Sequence, residues 1–373
     1  MDSKKAAEAA DKRSGARNRP PTGKRKDTDR RIMPEWYIGL VVFIYGTVVG
    51  SFLNVLIYRL PRGLSIVKPR SHCPNCKTEL RARDLVPLLS FLWQRGKCRY
   101  CGARISWRYF WVELTTGLLF WGIYWRYGWS WDTLFYVFFA AALIAAFFID
   151  LEHFLIPDGL NVFMLALGIA RNAVLIAEDN PQAWVTAGGW KLPYALVGAV
   201  LCTLLFATIA VMGRVMFRKD AMGFGDVKLA RAIGTLMPLK LALLAFAGAV
   251  ALGAIVGGLL VLFTLKRQSP AGAPSAAGVA PSTPPEPLTQ MLLYSLALLF
   301  ALDVLVFLYD GVRSLFSSRK VSGASTEEEE FVPGLTTIPF GPYIVASTLL
   351  ALIGKPYVLS LWDAYWRWAT GGG

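Results

Sequence analysis

Charge is what this sequence has least of. Only 17% of its 373 residues are Asp, Glu, Lys or Arg, where a soluble globular domain carries about 25%. With 55% hydrophobic residues in long runs, the deficit excludes an ordinary soluble enzyme and points to a polytopic membrane protein. Histidine is nearly absent, and the two present assemble no Ser/His/Asp triad: His72 lies among cysteines and His153 has no evident nucleophile beside it. Acidic residues are the scarcer sign, 25 against 39 Lys and Arg, for a net charge of +14. No basic globular domain stands free of the apolar runs, so the excess predicts no nucleic-acid partner; Lys and Arg gather on the cytoplasmic side of membrane proteins. No cleavable signal peptide is expected, because the first apolar run is too long for one and no small-residue cleavage site stands clearly after it. No internal repeat supports a transporter with intramembrane carboxylates.

What is there divides into six parts: a polar basic tail over residues 1–35, a first span over 36–58, a cysteine-bearing basic loop over 59–108, an apolar core over 109–265, a Pro-rich linker with an apolar insert over 266–335, and a last span with its tail over 336–373. The tail reads as disordered. Within the core and the last part, spans are expected at Tyr109–Trp125, Trp131–Ile149, Leu160–Ala177, Leu192–Met212, Val227–Met237 (short), Leu239–Leu265 and Ile338–Ile353, making an all-α protein of about eight transmembrane helices.

Alternate loops are basic. Residues 59–108 hold 12 Lys/Arg against two acids, and Arg214, Arg218, Lys219, Lys266 and Arg267 mark later turns, whereas Glu178–Lys191 has a single Lys. This predicts the cysteine loop on the cytoplasmic side, although the tail, with 11 Lys/Arg, would then lie outside. Met291–Phe316 is open between a true crossing and an interfacial or re-entrant helix, with Asp303 read as part of a polar face. On this reading the insert is dispensable.

Two C-x-x-C pairs, Cys73/Cys76 and Cys98/Cys101, are 21 residues apart. Two such knuckles complete a closed tetrahedral zinc site of four thiolates, which is structural because no position is left for water; the alternative is two disulfides in an oxidising compartment. His72 reads as a bystander and the lone Cys202 as a small buried hydrophobe. Asp150 ends the apolar run "AALIAAFFID", and Asp226 lies in "GFGDVKL". Carboxylates at such places are costly and tend to have a task. A pair sharing one proton can hydrolyse a peptide bond, with Gly223 and Gly225 suited to a sharp turn or to close approach of a substrate strand. The structural alternative is that Asp226 simply favours a helix N-terminus; Asp158 reads as such a cap.

In order along the chain come "GSFLNVLIYRLPRG", the two cysteine pairs, "WVELTTG", "IDLEHFLIPD", "GFGDVKL" and "IPFGPYIVAS". Together they resemble the type IV prepilin peptidases, bacterial leader peptidases with a GxGD aspartyl site. The resemblance implies an inner-membrane, multi-pass enzyme whose site faces the cytoplasm, with Asp150 and Asp226 catalytic and the four cysteines holding structural Zn2+. It implies prepilin or pseudopilin substrates of type IV pili or type II secretion, cut after a glycine that ends a basic leader. It further implies S-adenosylmethionine-dependent N-methylation of the new N-terminus, with Gly96 and Glu113 assigned to that step. The basic tail and the insert depart from the pattern. The competing reading is a zinc-ribbon membrane protein that binds or assembles partners without catalysis.

Overall fold

The computed structural model describes residues 35–217, 222–267, 288–316 and 339–369. Most of the basic tail, the Pro-rich linker, Arg218, Lys219 and the acidic run after Phe316 lie outside these. Each expected apolar run is helical. In chain order the helices are α1 (Glu35–Arg59), α2 (Leu89–Trp93), α3 (Trp107–Tyr127), α4 (Trp131–His153), α5 (Asp158–Ala177), α6 (Tyr194–Phe217), α7 (Phe224–Leu236), α8 (Leu239–Arg267), α9 (Leu288–Leu299), α10 (Leu302–Phe316), α11 (Gly341–Ile353) and α12 (Lys355–Ala369). A two-stranded hairpin, β1 (Trp184–Ala187) and β2 (Trp190–Pro193), turns at Gly188–Gly189.

Among the described residues, five helices are long and apolar enough to cross a membrane: α1, α4, α5, α6 and α8. Two bent pairs bring the number to seven if each is one broken span: α9 with α10 at 80°, and α11 with α12 at 93°. The expected spans that fall short do so for different reasons. α3 carries Arg108, Glu113 and Arg126. α7 has 13 residues, about 20 Å of helix against a hydrocarbon core of about 30 Å. The insert is the 80° pair and not a straight crossing.

α4 is apolar all round and lies at the centre, with nearly every side chain from Phe135 to Ala146 buried; a helix of this kind has no solvent face to offer. Its start is fixed by Ser130, whose Oγ accepts the Thr133 N–H at 3.2 Å. α7 lies in a seam made by small residues. A Cβ on Gly198 of α6 or on Gly234 of α7 would collide with the other residue's carbonyl, and Gly168 of α5 lies against Thr235. Cys202 is fully buried in this seam, as expected of a small hydrophobe.

The C-terminal carbonyls of α7, which would be unpaired in lipid, are met by protein groups. Arg171 Nη1 donates to the Leu236 carbonyl at 3.4 Å and the Tyr194 hydroxyl donates to that of Met237. Arg171 is itself held by Asp132 at 2.8 Å. A short helix can therefore end inside the bundle. Asp303 departs from the expected polar face: it forms an ion pair with Arg231, a buried side chain of α7.

Candidate active site

Asp150 lies in the last turn of α4, which stops at Phe154 in a left-handed cap whose N–H bonds the Asp150 carbonyl at 2.9 Å. Asp226 lies in the first turn of α7, its N–H bonding the Gly223 carbonyl at 3.1 Å. Both side chains are buried, at 6% and 9% exposure, and they are close enough to interact electrostatically. Two residues 76 positions apart in sequence thus share one site.

A third element completes it. The N–H of Gly341, the first residue of α11, donates to the Asp150 carboxylate. A Cβ at Gly341 would overlap that carboxylate, and the same Cβ would lie 3.2 Å from Ile156. Ile156 also backs Gly225, so α11, the turn after α4 and the start of α7 converge on the pair. Sequence reading quoted "IPFGPY" without assigning Gly341. The glycine–proline step at a helix start was the signal, but a backbone donor leaves no side-chain pattern to read.

Two expectations change here. Neither Gly223 nor Gly225 takes a positive φ, so no sharp left-handed turn requires them. Gly223 is the extended N-cap of α7, and among the described residues the nearest atom to its absent side chain is the Gly225 N at 4.0 Å. Asp158 is not a cap either: Pro157 holds that position and Asp158 pairs with Lys228 of α7 at 2.6 Å. That pair ties the start of α5 to the start of α7. Beside Asp150, Glu152 pairs with Arg108 at the start of α3, linking the site to the end of the cysteine loop.

In that loop the four cysteine Sγ atoms all lie within 4.8 Å of one another, and no disulfide joins them. Cys73 and Cys101 Sγ are 3.8 Å apart, the edge of a tetrahedron with Zn–S bonds of about 2.3 Å. The two knuckles have the same design. Cys73 N–H bonds Thr78 O at 3.0 Å and Cys98 N–H bonds Ala103 O at 2.8 Å, with Lys77 and Gly102 each left-handed between. The geometry fits a metal of the zinc class. His72 Nδ1 lies 3.1 Å from the Arg70 carbonyl, outside the cluster.

Gly96 and Glu113 are both placed by α2. Glu113 Oε2 accepts the Leu88 N–H at 2.8 Å, just before the helix. Gly96 is left-handed, with φ of 65°, and lies against Phe91 of α2, whose ring meets Trp107 and Phe110 at 5.0 and 5.7 Å. An open cleft of about 480 Å³ lies elsewhere, between the C-terminal half of α1 and the loop, lined by Phe52, Arg59, Ile66 and Pro69 among others.

Residues 44–127 match the Bacterial Peptidase A24 N-terminal domain, and residues 137–258 match the Type IV leader peptidase family. A prepilin leader peptidase/N-methyltransferase of Myxococcus xanthus is 33% identical over 327 residues, covering 85% of this chain and 90% of that protein. One of Bacillus subtilis is 35% identical, over 64% of this chain and 90% of the relative. A type 4 prepilin-like proteins leader peptide-processing enzyme of Escherichia coli is 36% identical, over 51% and 73%. No solved structure matches the chain.

Proposed function

This chain belongs to the type IV leader peptidase family, and on that premise we propose that it is a membrane aspartyl endopeptidase that removes basic leaders from type IV prepilins or pseudopilins at the cytoplasmic face of the inner membrane, and then methylates the new N-terminus. The observation that carries the peptidase reading is the convergence of Asp150 and Asp226, from α4 and α7, on the N-terminus of α11.

A carboxylate pair of this kind shares one proton. Asp150 accepts the Gly341 N–H and is the partner suited to take a proton from water. Asp226 then holds the acid proton and polarises the scissile carbonyl. Water oxygen adds to the carbonyl carbon as Asp150 takes its proton and Asp226 gives its own to the carbonyl oxygen. The intermediate then collapses with the C–N bond breaking, Asp150 passing its proton to the amine and a hydroxyl of the new acid returning one to Asp226. A prepilin is a basic leader followed by an apolar helix. Its helix can lie in the bilayer while the junction reaches the pair at the membrane edge, where the small Gly223 and Gly225 suit close approach of an extended strand.

The four cysteines would hold one structural zinc. For the second reaction S-adenosylmethionine would supply the methyl group to the freed amine, and Gly96 and Glu113 are the residues of this chain assigned to it. Positive charge in the cysteine loop supports the cytoplasmic orientation.

The test is co-expression with a prepilin bearing a Gly-Phe junction, followed by intact mass of the product. We expect loss of the leader and gain of one methyl group. Asp150→Asn and Asp226→Asn should each abolish cleavage while the protein remains in the membrane. Cleavage at the normal rate by either variant refutes the aspartyl mechanism; cleavage without a mass gain removes the methyltransferase half alone.

A further inference from the structure

α7 carries Asp226 on one side and Arg231 on another. Five residues at 3.6 per turn place them about 140° apart around the axis. While Asp226 faces Asp150, Arg231 faces the insert. Its Nη1 and Nη2 reach Asp303 Oδ1 and Oδ2 at 2.8 and 2.6 Å, a two-pronged grip, and Nη1 also donates to the Leu298 carbonyl at 2.8 Å. The Arg231 side chain is 4% exposed.

Those two contacts lie on either side of the 80° bend between α9 and α10. Leu298 is in the last turn of α9 and Asp303 in the first turn of α10, with Ala301 left-handed between them. One planar guanidinium therefore pins both arms of the bend, and a rigid fork fixes direction as well as distance. The insert reaches the same region twice more. Tyr294 of α9 meets the ring of Phe224, the first residue of α7, at 5.2 Å, and Phe307 of α10 lies against Gly159 beside Asp158.

We infer, against the expectation that the insert is dispensable, that the Arg231–Asp303 pair is a positioning device for the peptidase reaction: the insert holds α7 in the rotation that aims Asp226 at Asp150. Arg231 and Asp303 are positioning residues, and the inference rests on the activity proposed above. A rotation of α7 carries Asp226 through an arc set by its distance from the axis. The glycine seam with α6 sets how near α7 lies, and the half-exposed Lys228–Asp158 pair ties its first turn to α5. The more deeply buried Arg231–Asp303 fork adds a restraint on another side of α7.

The experiment measures steady-state cleavage of a prepilin by the full chain, wild type against Asp303→Asn and the double variant Arg231→Met/Asp303→Leu. A buried pair replaced by apolar side chains leaves no uncompensated charge, so the double variant tests direction separately from charge burial. We expect kcat to fall about 10- to 100-fold in both variants, the scale of a misplaced catalytic group, with KM within about twofold of wild type. The double variant should accumulate in the membrane and melt like wild type. Asp303→Asn at the wild-type kcat overturns the inference. So does a double variant with restored kcat, because the pair would then serve only to neutralise a buried charge. If Asp303→Asn fails to accumulate, the double variant decides alone, and its own failure to accumulate assigns the pair to folding and overturns the inference. A wild-type chain that does not cleave refutes the peptidase reading, and this inference with it.

Discussion

Asp84, in the cysteine loop, has 1% of its side chain exposed, and its carboxylate is held by partners on every side, whereas Asp150 and Asp226 are the pair proposed for chemistry. Burial raises its pKa, but the Tyr100 hydroxyl, the Arg81 backbone N–H and the Arg99 guanidinium outweigh burial and hold it below the ordinary value. These contacts measure 2.8, 3.2 and 2.8 Å. A carboxyl held low when folded adds stability that is complete above the ordinary carboxylate value and is lost as pH falls through the lower, folded value. At neutral pH, Asp84→Asn should cost the loop about 1–3 kcal/mol, the scale for losing charge-assisted bonds to a buried group. Thermal protection of the loop from protease in the full chain would measure it, and the gap from wild type should close as pH drops below about 4. An unchanged midpoint at pH 7 contradicts the role. Sequence reading could not separate this aspartate from its neighbours, because its partners are a tyrosine and an arginine from the second knuckle, brought near by the fold. That the four cysteines cluster and that Asp150 and Asp226 come together was legible because each sits inside its own short pattern.

α7 shows how much of an element a sequence reveals. Its apolar run was readable, and so was its brevity. Its burial was not, because that depends on Gly198 and Gly234 from separate helices lying face to face. A Cβ at Gly234 would come within 2.6 Å of Cys202 Sγ and still nearer to the Gly198 carbonyl. Gly234→Ala should therefore force α6 and α7 apart, costing about 1–3 kcal/mol as overpacking does, and should slow cleavage because Asp226 rides on α7. Gly258→Ala in α8 is the control: no described atom lies within 4 Å of the added one. Thermal midpoints and cleavage rates of the two variants should diverge, and equal behaviour rejects the seam. Other elements escaped for physical reasons. The break between α9 and α10 falls in "FALD", without glycine or proline, and Arg231 of α7 contacts both sides of it. The β1–β2 hairpin was readable in retrospect from Gly188–Gly189, a two-residue turn that favours left-handed backbone, but its strands are only four residues each.

Across the whole molecule, two regions are stabilised by different means. The main apolar core passes from Ile57 directly to Val112, and the buried apolar side chains of the loop between them are Cys73, Phe91 and Cys98. So small a core does not hold a 50-residue segment alone, and a metal is the usual substitute. Contacts of the loop with the rest include Leu88 N–H to Glu113, Arg108 to Glu152, and the Phe91 ring against Phe110 at 5.7 Å. Removing zinc with a strong chelator, or Cys73→Ser with Cys98→Ser, should open the loop between Leu64 and Ser106 to protease while the spans remain protected. Methyl transfer should then fall further than peptide cleavage. Gly96 and Glu113, proposed for methyl transfer, both contact the α2 segment, which lies within the loop and rests on α3 through Phe91, whereas Asp150 and Asp226 are carried by α4 and α7 and lie near the loop, among the described residues, at the Arg108–Glu152 contact. Parallel assays of leader removal and methylation on the same treated membranes would check this. If both activities fall together while the spans stay intact, the loop is part of the frame of the peptidase site; if the loop resists protease after complete metal removal, zinc is not what folds it.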